Sequence, residues 1–249
     1  MHKIIFCFKN FVKPHIINLI HRGKNNKELT ICRKSYIIFA TGGIVLGNLS
    51  YTNLIYNRIL SLPSESAFIA TDFVDIADYK AVSKSLERLE DEKKIRRVIR
   101  GVYDCPQYSE LLGEYEAPSP HHIAIAIARN NNWTIAPSGN TALNQLGLST
   151  QVTAYWLYIS DGPYRTYAIN NVKIEFRHRN NKEISGMSYK TAIAIQAIKT
   201  LKQQYVSEGI IKHLKQSLTD EEKAKLLDEA KQTTTWVYAI IKKICKSGE

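Results

Sequence analysis

Three groups of side chains in this sequence have types and spacings that chemistry could use. The first is basic: Lys80, Ser83, Lys84 and Arg88 recur at three- and four-residue intervals, and Arg96, Arg97 and Arg100 follow in one short stretch. Donors at helical spacing beside a cluster of guanidiniums suit the base edges and phosphates of a duplex. The second is Asp161 with Glu175 and Arg177. An acid next to an acid-x-base pair on adjoining strands is how many metal-dependent nucleases hold a cation and polarise a phosphate. Asp161 also opens a turn signal with Gly162, and Arg177 stands where a lysine is usual, so a turn and an exposed strand pair are the plainer reading. The third is imidazole. His121 and His122 are adjacent and cannot share a helix face, and His178 has no partner at ligand spacing, so all three read as surface or capping residues. Ser138-Gly139 lacks the G-x-S-x-G elbow of hydrolases. A binding protein is the leading expectation, with no enzyme activity, and metal-dependent nuclease chemistry at Asp161, Glu175 and Arg177 is the lesser alternative.

The elements that would carry the basic group read clearly from Tyr51 onward. Leu54, Ile55, Ile59 and Leu62 mark one face of a helix that stops at Pro63. A short strand over Ala67-Phe-Ile-Ala70 follows, and Thr71 then caps a brief helix with Phe73, Ile76 and Ala77 inward. Asp78 is the turn residue and N-cap of a helix from Tyr79 to about Lys93. There Val82, Leu86 and Leu89 form the buried stripe, which leaves Lys80, Ser83, Lys84, Glu87 and Arg88 outside. Ile95 to Tyr103 alternates β-branched and basic residues around Gly101, the pattern of a short hairpin. Helix, strand, two helices and a basic hairpin in that order describe a winged helix-turn-helix over 51–110. The competing reading is a solvated helix face and an edge ribbon that binds protein, since Asp72, Asp75, Asp78, Glu90, Asp91 and Glu92 make the module neutral. The clustering of Arg96, Arg97 and Arg100 beside the lysines favours DNA. So few phosphate contacts imply modest affinity, and hence a homodimer or a second basic surface.

Beyond Pro118-Ser-Pro120 the spacing predicts helices over 121–130 and 139–146, the latter closed by Gly147. Strands are expected over 154–160, 164–169 and 172–179, joined by the hairpin signals Asp161-Gly162-Pro163 and Asn170-Asn171. Their aromatics, Tyr155, Trp156, Tyr158, Tyr164, Tyr167 and Phe176, alternate with Arg165, Arg177 and Arg179. They either pack under helices or form a basic, aromatic face for nucleic acid or a protein partner. Helices follow at 188–201, about 207–215 and 220–244. The fold class is thus α+β: an N-terminal winged helix-turn-helix, an α+β domain over 111–205 with a small antiparallel sheet, and C-terminal helices over 206–249.

Length and charge bound these readings. The chain has 249 residues, 44% hydrophobic and 23% charged, which excludes fibrous and wholly disordered classes. Its formal charge is +11, but residues 1–50 carry eight Lys/Arg against one acid, whereas 51–110 carry nine against ten. The net charge is therefore no argument for DNA binding by the module. Residues 1–50 lack a sustained period and read as a poorly structured extension, a misplaced translation start, a marginal helix or a membrane or export segment. The longest apolar run there, Tyr36 to Leu46, is about half the roughly twenty residues that a spanning helix needs, and no membrane partner is expected. Four cysteines, at 7, 32, 105 and 245, have no C-x-x-C spacing and fit a reducing cytoplasm.

The string from Ala67 through Pro106, with Ala81-Val-Ser-Lys-Ser-Leu-Glu-Arg-Leu89 and Ile95-Arg-Arg-Val-Ile-Arg-Gly-Val-Tyr103, resembles the N-terminal winged helix of AbiEi-type antitoxins of bacterial type IV toxin–antitoxin, or abortive infection, systems. The likeness continues through Pro118-Ser119, Trp133-Thr-Ile-Ala-Pro-Ser-Gly139, Ala142-Leu-Asn-Gln-Leu-Gly-Leu-Ser-Thr-Gln151 and Ser160-Asp-Gly162. It spans roughly residues 65–205 and leaves out the first fifty and last forty. The resemblance implies a two-domain cytoplasmic protein that represses its own operon through operator DNA and counteracts a cognate nucleotidyltransferase-type toxin, without metal or cofactor. Its DNA-facing residues would be Lys80, Ser83, Lys84, Arg88, Arg96, Arg97 and Arg100, while no short motif locates the toxin-countering ones. Alternatives are a protein-binding winged-helix adaptor, an orphan transcriptional regulator and a metal-dependent nuclease.

Overall fold

The structure is a computed structural model. It describes residues 50–111, 113–116, 118–151, 153, 155–169, 171–179 and 186–246, and the backbone of four short strands before them. Those strands pair antiparallel as β1 (Ile20–Arg22) with β2 (Leu29–Ile31) and β3 (Tyr36–Ala40) with β4 (Gly43–Gly47). The rest of the expectation about residues 1–49 lies outside the described residues. From residue 50 the fold is mixed α+β, with eight α-helices among the described residues and small sheets between them.

The first helix, α1 (Tyr51–Leu60), starts at Ser50, whose hydroxyl accepts from the Asn53 amide. A short strand β5 (Ala67–Phe68) leads into a single 3-10 turn at Ala70–Phe73, where the Asp72 carboxylate accepts from the Ile69 amide. Helix α2 (Tyr79–Asp91) is capped by Asp78, as its sequence requires: the carboxylate accepts from the Ala81 amide at 2.9 Å. Its buried stripe is Val82, Ser85, Leu86 and Leu89, and Ser85 is satisfied by the Thr52 hydroxyl of α1 at 3.2 Å. Strands β6 (Arg96–Ile99) and β7 (Val102–Asp104) turn at Gly101, whose φ of +82° suits glycine. With β5 they form a three-stranded sheet ordered β5-β7-β6.

One face of that sheet closes on α1 and α2 around Ile55, Phe68, Phe73, Val82, Leu86 and Tyr103. The other face, through Ala67, Ile69 and Val102, packs on α3 (Pro120–Asn130), which contributes Ile123, Ala126 and Ile127. The same core continues into the second sheet through Tyr158, Ile174 and Phe176. Residue 110 is therefore not a break in the packing. Arg129 of α3 reinforces the junction by donating to the Ala67 carbonyl and the Asp72 carboxylate.

A two-stranded hairpin, β8 (Tyr108–Ser109) and β9 (Glu114–Tyr115), precedes α3. The second sheet corrects the sequence-based topology. It contains β10 (Ile135–Pro137), β11 (Tyr155–Ser160), β12 (Arg165–Ile169) and β13 (Val172–His178) in the order β10-β11-β13-β12, and β11 runs parallel to β13. The sheet is mixed, not antiparallel, and Asp161-Gly162-Pro163 is not a hairpin turn but a bridge past an inserted strand. Two strand spacings are about 9.6 Å, a gap that residues 161–164 can span. Burial decides the order: β13 has Ile174 and Phe176 fully buried and takes the centre, while β12 exposes Arg165, Thr166 and Ala168 at the edge. Strand β10 pairs with β11 at the opposite edge and was not foreseen.

Helix α4 (Gly139–Gln145) ends before Gly147, which adopts the expected left-handed conformation at φ +67°. Helix α5 (Tyr189–Leu201) is buried on all sides over residues 191–198, as a helix must be when it lies between a sheet and further helices. Those helices are α6 (Glu208–Ser217), α7 (Asp220–Glu229) and α8 (Thr235–Cys245), around Ile198, Leu214, Leu226, Val237 and Ile241. The single helix expected over 220–244 is two. Thr233 and Thr234 have ψ of 176° and 143°, and this extended, β-branched pair returns the chain so that Leu226 and Val237 share one core. Helix α7 starts with a capping box, in which the Thr219 hydroxyl accepts from the Glu222 amide and the Glu222 carboxylate accepts from the Thr219 amide.

Candidate nucleic-acid interface

The face of α2 opposite its buried stripe presents Lys80, Ser83, Lys84, Glu87 and Arg88. All of these are exposed except Ser83, which is half-buried. Between this face and the β6–β7 hairpin lies an open cleft of about 440 Å³, lined by Lys80, Ser83, Lys84, Glu87, Arg97 and Tyr103. The lysines come from the first half of the helix, the end that a groove-reading helix inserts. Among the described residues no ion pair engages Lys80, Lys84, Arg88 or Arg100. Arg100 sits exposed at the hairpin turn beside Gly101, clear of the sheet.

The two neighbouring arginines of β6 have opposite environments. Arg96 donates through Nε at 3.0 Å and Nη2 at 2.5 Å to the Asp104 carboxylate, and Nη2 also reaches the Glu116 carbonyl at 3.2 Å. Asp104 is only 3% exposed, so Arg96 is spent on neutralising a buried charge and leaves the set of groups available to a partner. Arg97 lies over the Tyr103 ring, 5.4 Å from its centroid, and donates to Glu90 at 2.9 and 2.5 Å. The bond to Glu90 raises the Arg97 pKa, so the guanidinium is a fixed charge at the cleft. Burial pushes the Tyr103 phenol up, with the Arg97 charge opposing it.

A β-bulge produces this division. A two-residue turn at Arg100-Gly101 with Ile99 opposite Val102 would, without interruption, set Arg97 against Asp104. The register shifts between Arg97 and Ile99, so that Arg97 faces Tyr103 and Arg96 faces Asp104. The bulge lets the consecutive residues Val98 and Ile99 both pack on the core beneath α3. Sequence reasoning missed Tyr103 as part of the interface. Only the bulged register reveals it, since regular alternation gives Arg97 another neighbour.

The other candidate groups do not converge. Asp161 accepts from the Thr134 amide at 2.8 Å, whereas Glu175 holds Arg177 at 2.8 Å on the next turn of the same strand's alternation. His178 bonds the Gly162 carbonyl at 3.0 Å. Among the described residues no three His, Cys, Asp or Glu side chains come together as a metal site. Trp156, Tyr158, Tyr167 and Phe176 pack inward, against α3 and Trp133, while Tyr155 and Tyr164 stay exposed. Cys105 and Cys245 are free thiols, and burial raises both. No helix among the described residues is long and apolar enough to cross a membrane.

His121 is not a simple surface residue. Its Nδ1 lies 3.0 Å from the Tyr158 hydroxyl and 2.8 Å from Gln145 Nε2, and the Tyr189 hydroxyl donates to Gln145 Oε1 at 2.6 Å. Gln145 Nε2 can only donate, so Nδ1 accepts from it and the ring proton sits on Nε2. Burial, aided by His122, lowers the His121 pKa, and burial raises the Tyr189 phenol to about 12. This network ties α3, α4, β11 and α5 together.

A family model described as a family of unknown function, DUF6088, matches residues 54–226. No curated protein matches the chain. A solved structure, the RV2827C protein from Mycobacterium tuberculosis, is similar at 11% identity and a TM-score of 0.35, covering 79% of this chain and 76% of that one.

Proposed function

The chain belongs to the DUF6088 family, whose function is unknown, and from that premise we propose that residues 51–106 are a winged helix-turn-helix that binds duplex DNA. Helix α2 would occupy the major groove, with the β6–β7 hairpin as the wing against the flanking backbone. The observation that carries this reading is the cleft itself: Lys80, Ser83 and Lys84 converge with Arg97 on one open surface, opposite the buried stripe of α2. Arg88 and Arg100 extend the basic surface at its borders. The wing is backed by α3, which holds it in place while α2 is presented. Together with the resemblance to AbiEi-type antitoxins, this points to a cytoplasmic antitoxin that represses its own operon and counters a nucleotidyltransferase-type toxin. It acts by binding and not by catalysis, and as a homodimer when operator half-sites are paired.

Binding of the DNA upstream of the chain's own gene should weaken steeply with salt, and Lys84→Ala and Arg97→Ala should each lower it, measured by fluorescence anisotropy. Unchanged affinity in both variants would remove the interface assignment. For the antitoxin role, an adjacent nucleotidyltransferase-like gene should be toxic alone and tolerated when this chain is coexpressed. Equal toxicity with and without the chain would refute that part.

A further inference from the structure

The cleft contains one group that a phosphate-binding surface should avoid. Two acids of α2 face the wing, Glu87 and Glu90. Glu90 is neutralised by Arg97 at 2.5 Å, whereas among the described residues nothing bonds Glu87. Glu87 shares the helix face of Lys80, Ser83 and Lys84, being seven, four and three residues beyond them, and lines the same cleft. Arg97 feels Glu87 only through space, without a hydrogen bond, and such a carboxylate brought against DNA is repelled by every phosphate and by the acceptors O6 and N7 of guanine and O4 of thymine. Among base edges in the major groove only the amino groups of cytosine and adenine donate, and cytosine N4 is the one without an adjoining acceptor on the same base.

We infer that Glu87 is a specificity residue, accepting from cytosine N4 at one fixed position of the site and rejecting duplexes that place a keto oxygen there. This rests on the DNA-binding reading above. The rise from Lys80 to Glu87 is about 10.5 Å along the helix. The selected C·G pair therefore lies within a few base pairs of the pair nearest Lys80, since a groove-reading helix contacts successive bases along a comparable span. Lys80 and Lys84 donate to guanine and phosphate, and Glu87 supplies the complementary exclusion.

The test is selection from a random-duplex pool by wild type, Glu87→Ala and Glu87→Gln, followed by anisotropy on the enriched duplex and on a scrambled one. Glu87 is exposed, so neither variant should disturb folding. The wild type should enrich cytosine at one position by about fivefold or more. Glu87→Ala should lose that preference alone while binding the scrambled duplex more tightly, because one repulsive charge is gone. An acid with only a general electrostatic effect would tighten all duplexes equally and leave every preference unchanged, and that result overturns the inference while the DNA-binding reading stands. Failure of the wild type to bind any duplex at low salt would overturn both, and would point to a protein partner for the wing.

Discussion

Arg96 and Arg97 are adjacent, identical in type and opposite in expected effect. Replacing Arg96 by alanine leaves the Asp104 carboxylate, 4% exposed at its side chain, without either of its two guanidinium bonds. Breaking a buried pair in this way costs about 3–5 kcal/mol, and the lower end applies because the Arg96 side chain is 37% exposed. For a chain of this size each kcal/mol lowers Tm by about 2–4 °C, so Arg96→Ala should melt about 6–12 °C below wild type. Replacing Arg97 removes a pair whose partners are 41% and 30% exposed, worth about 0–1 kcal/mol, and Tm should move by only a few degrees. DNA affinity should show the reverse ordering at a temperature where both variants are folded. Thermal melts by far-ultraviolet circular dichroism measure the first quantity, and anisotropy the second. Adding Asp104→Asn to Arg96→Ala should recover much of the loss, because the buried charge is then gone. A melting temperature for Arg96→Ala equal to that of wild type, or no recovery in the double variant, would refute the buried-charge account.

Two further outcomes follow from the core. The His121 pKa is lowered in the fold, so below its ordinary value of 6.5 the unfolded chain binds the extra proton first. Stability should be fully present above that pH and fall as pH drops through and below it. In urea titrations across this range His121→Gln should flatten the dependence, and an unchanged slope would mean that burial does not hold the imidazole neutral. A Cβ at Gly162 would fall 2.4 Å from the Trp133 ring, which itself packs edge-on against Phe176. Gly162→Ala should cost about 1–3 kcal/mol in the same urea assay, and a neutral result would show that Trp133 can move aside.

Much of this architecture is legible locally. The Asp78 cap and the Val82, Leu86, Leu89 stripe specify α2 and its outward face from a few neighbouring residues, and the same is true of Thr219 with Glu222 and of Gly147. What failed to read locally depended on competition between segments. The parallel pairing of β11 with β13 arises because β13 has the stronger apolar alternation and displaces β12 from the centre, a comparison that no turn signal contains. The break between α7 and α8 sits at a threonine run that tolerates helix, and it becomes a turn because Val237 and Ile241 must reach the core of α5. Likewise His121 reads as a surface group until α4 and α5 bring Gln145 and Tyr189 against it.

At the candidate interface the division is sharper still. The amphipathic period of residues 79–91 by itself determined that Lys80, Ser83, Lys84 and Glu87 share an open face, since their positions follow from 3.6 residues per turn and from where the apolar side chains fall. The alternation of residues 95–103 determined that a basic hairpin stands beside them. It could not determine which arginine faces outward. That choice was made by Val98 and Ile99, which both seek the core under α3 and shift the register by one residue, giving Arg96 to the buried Asp104 and Arg97 to Tyr103 at the cleft. A one-residue shift reverses every side chain of a strand, so the packing of two apolar residues against a distant helix decided which charge a partner can meet.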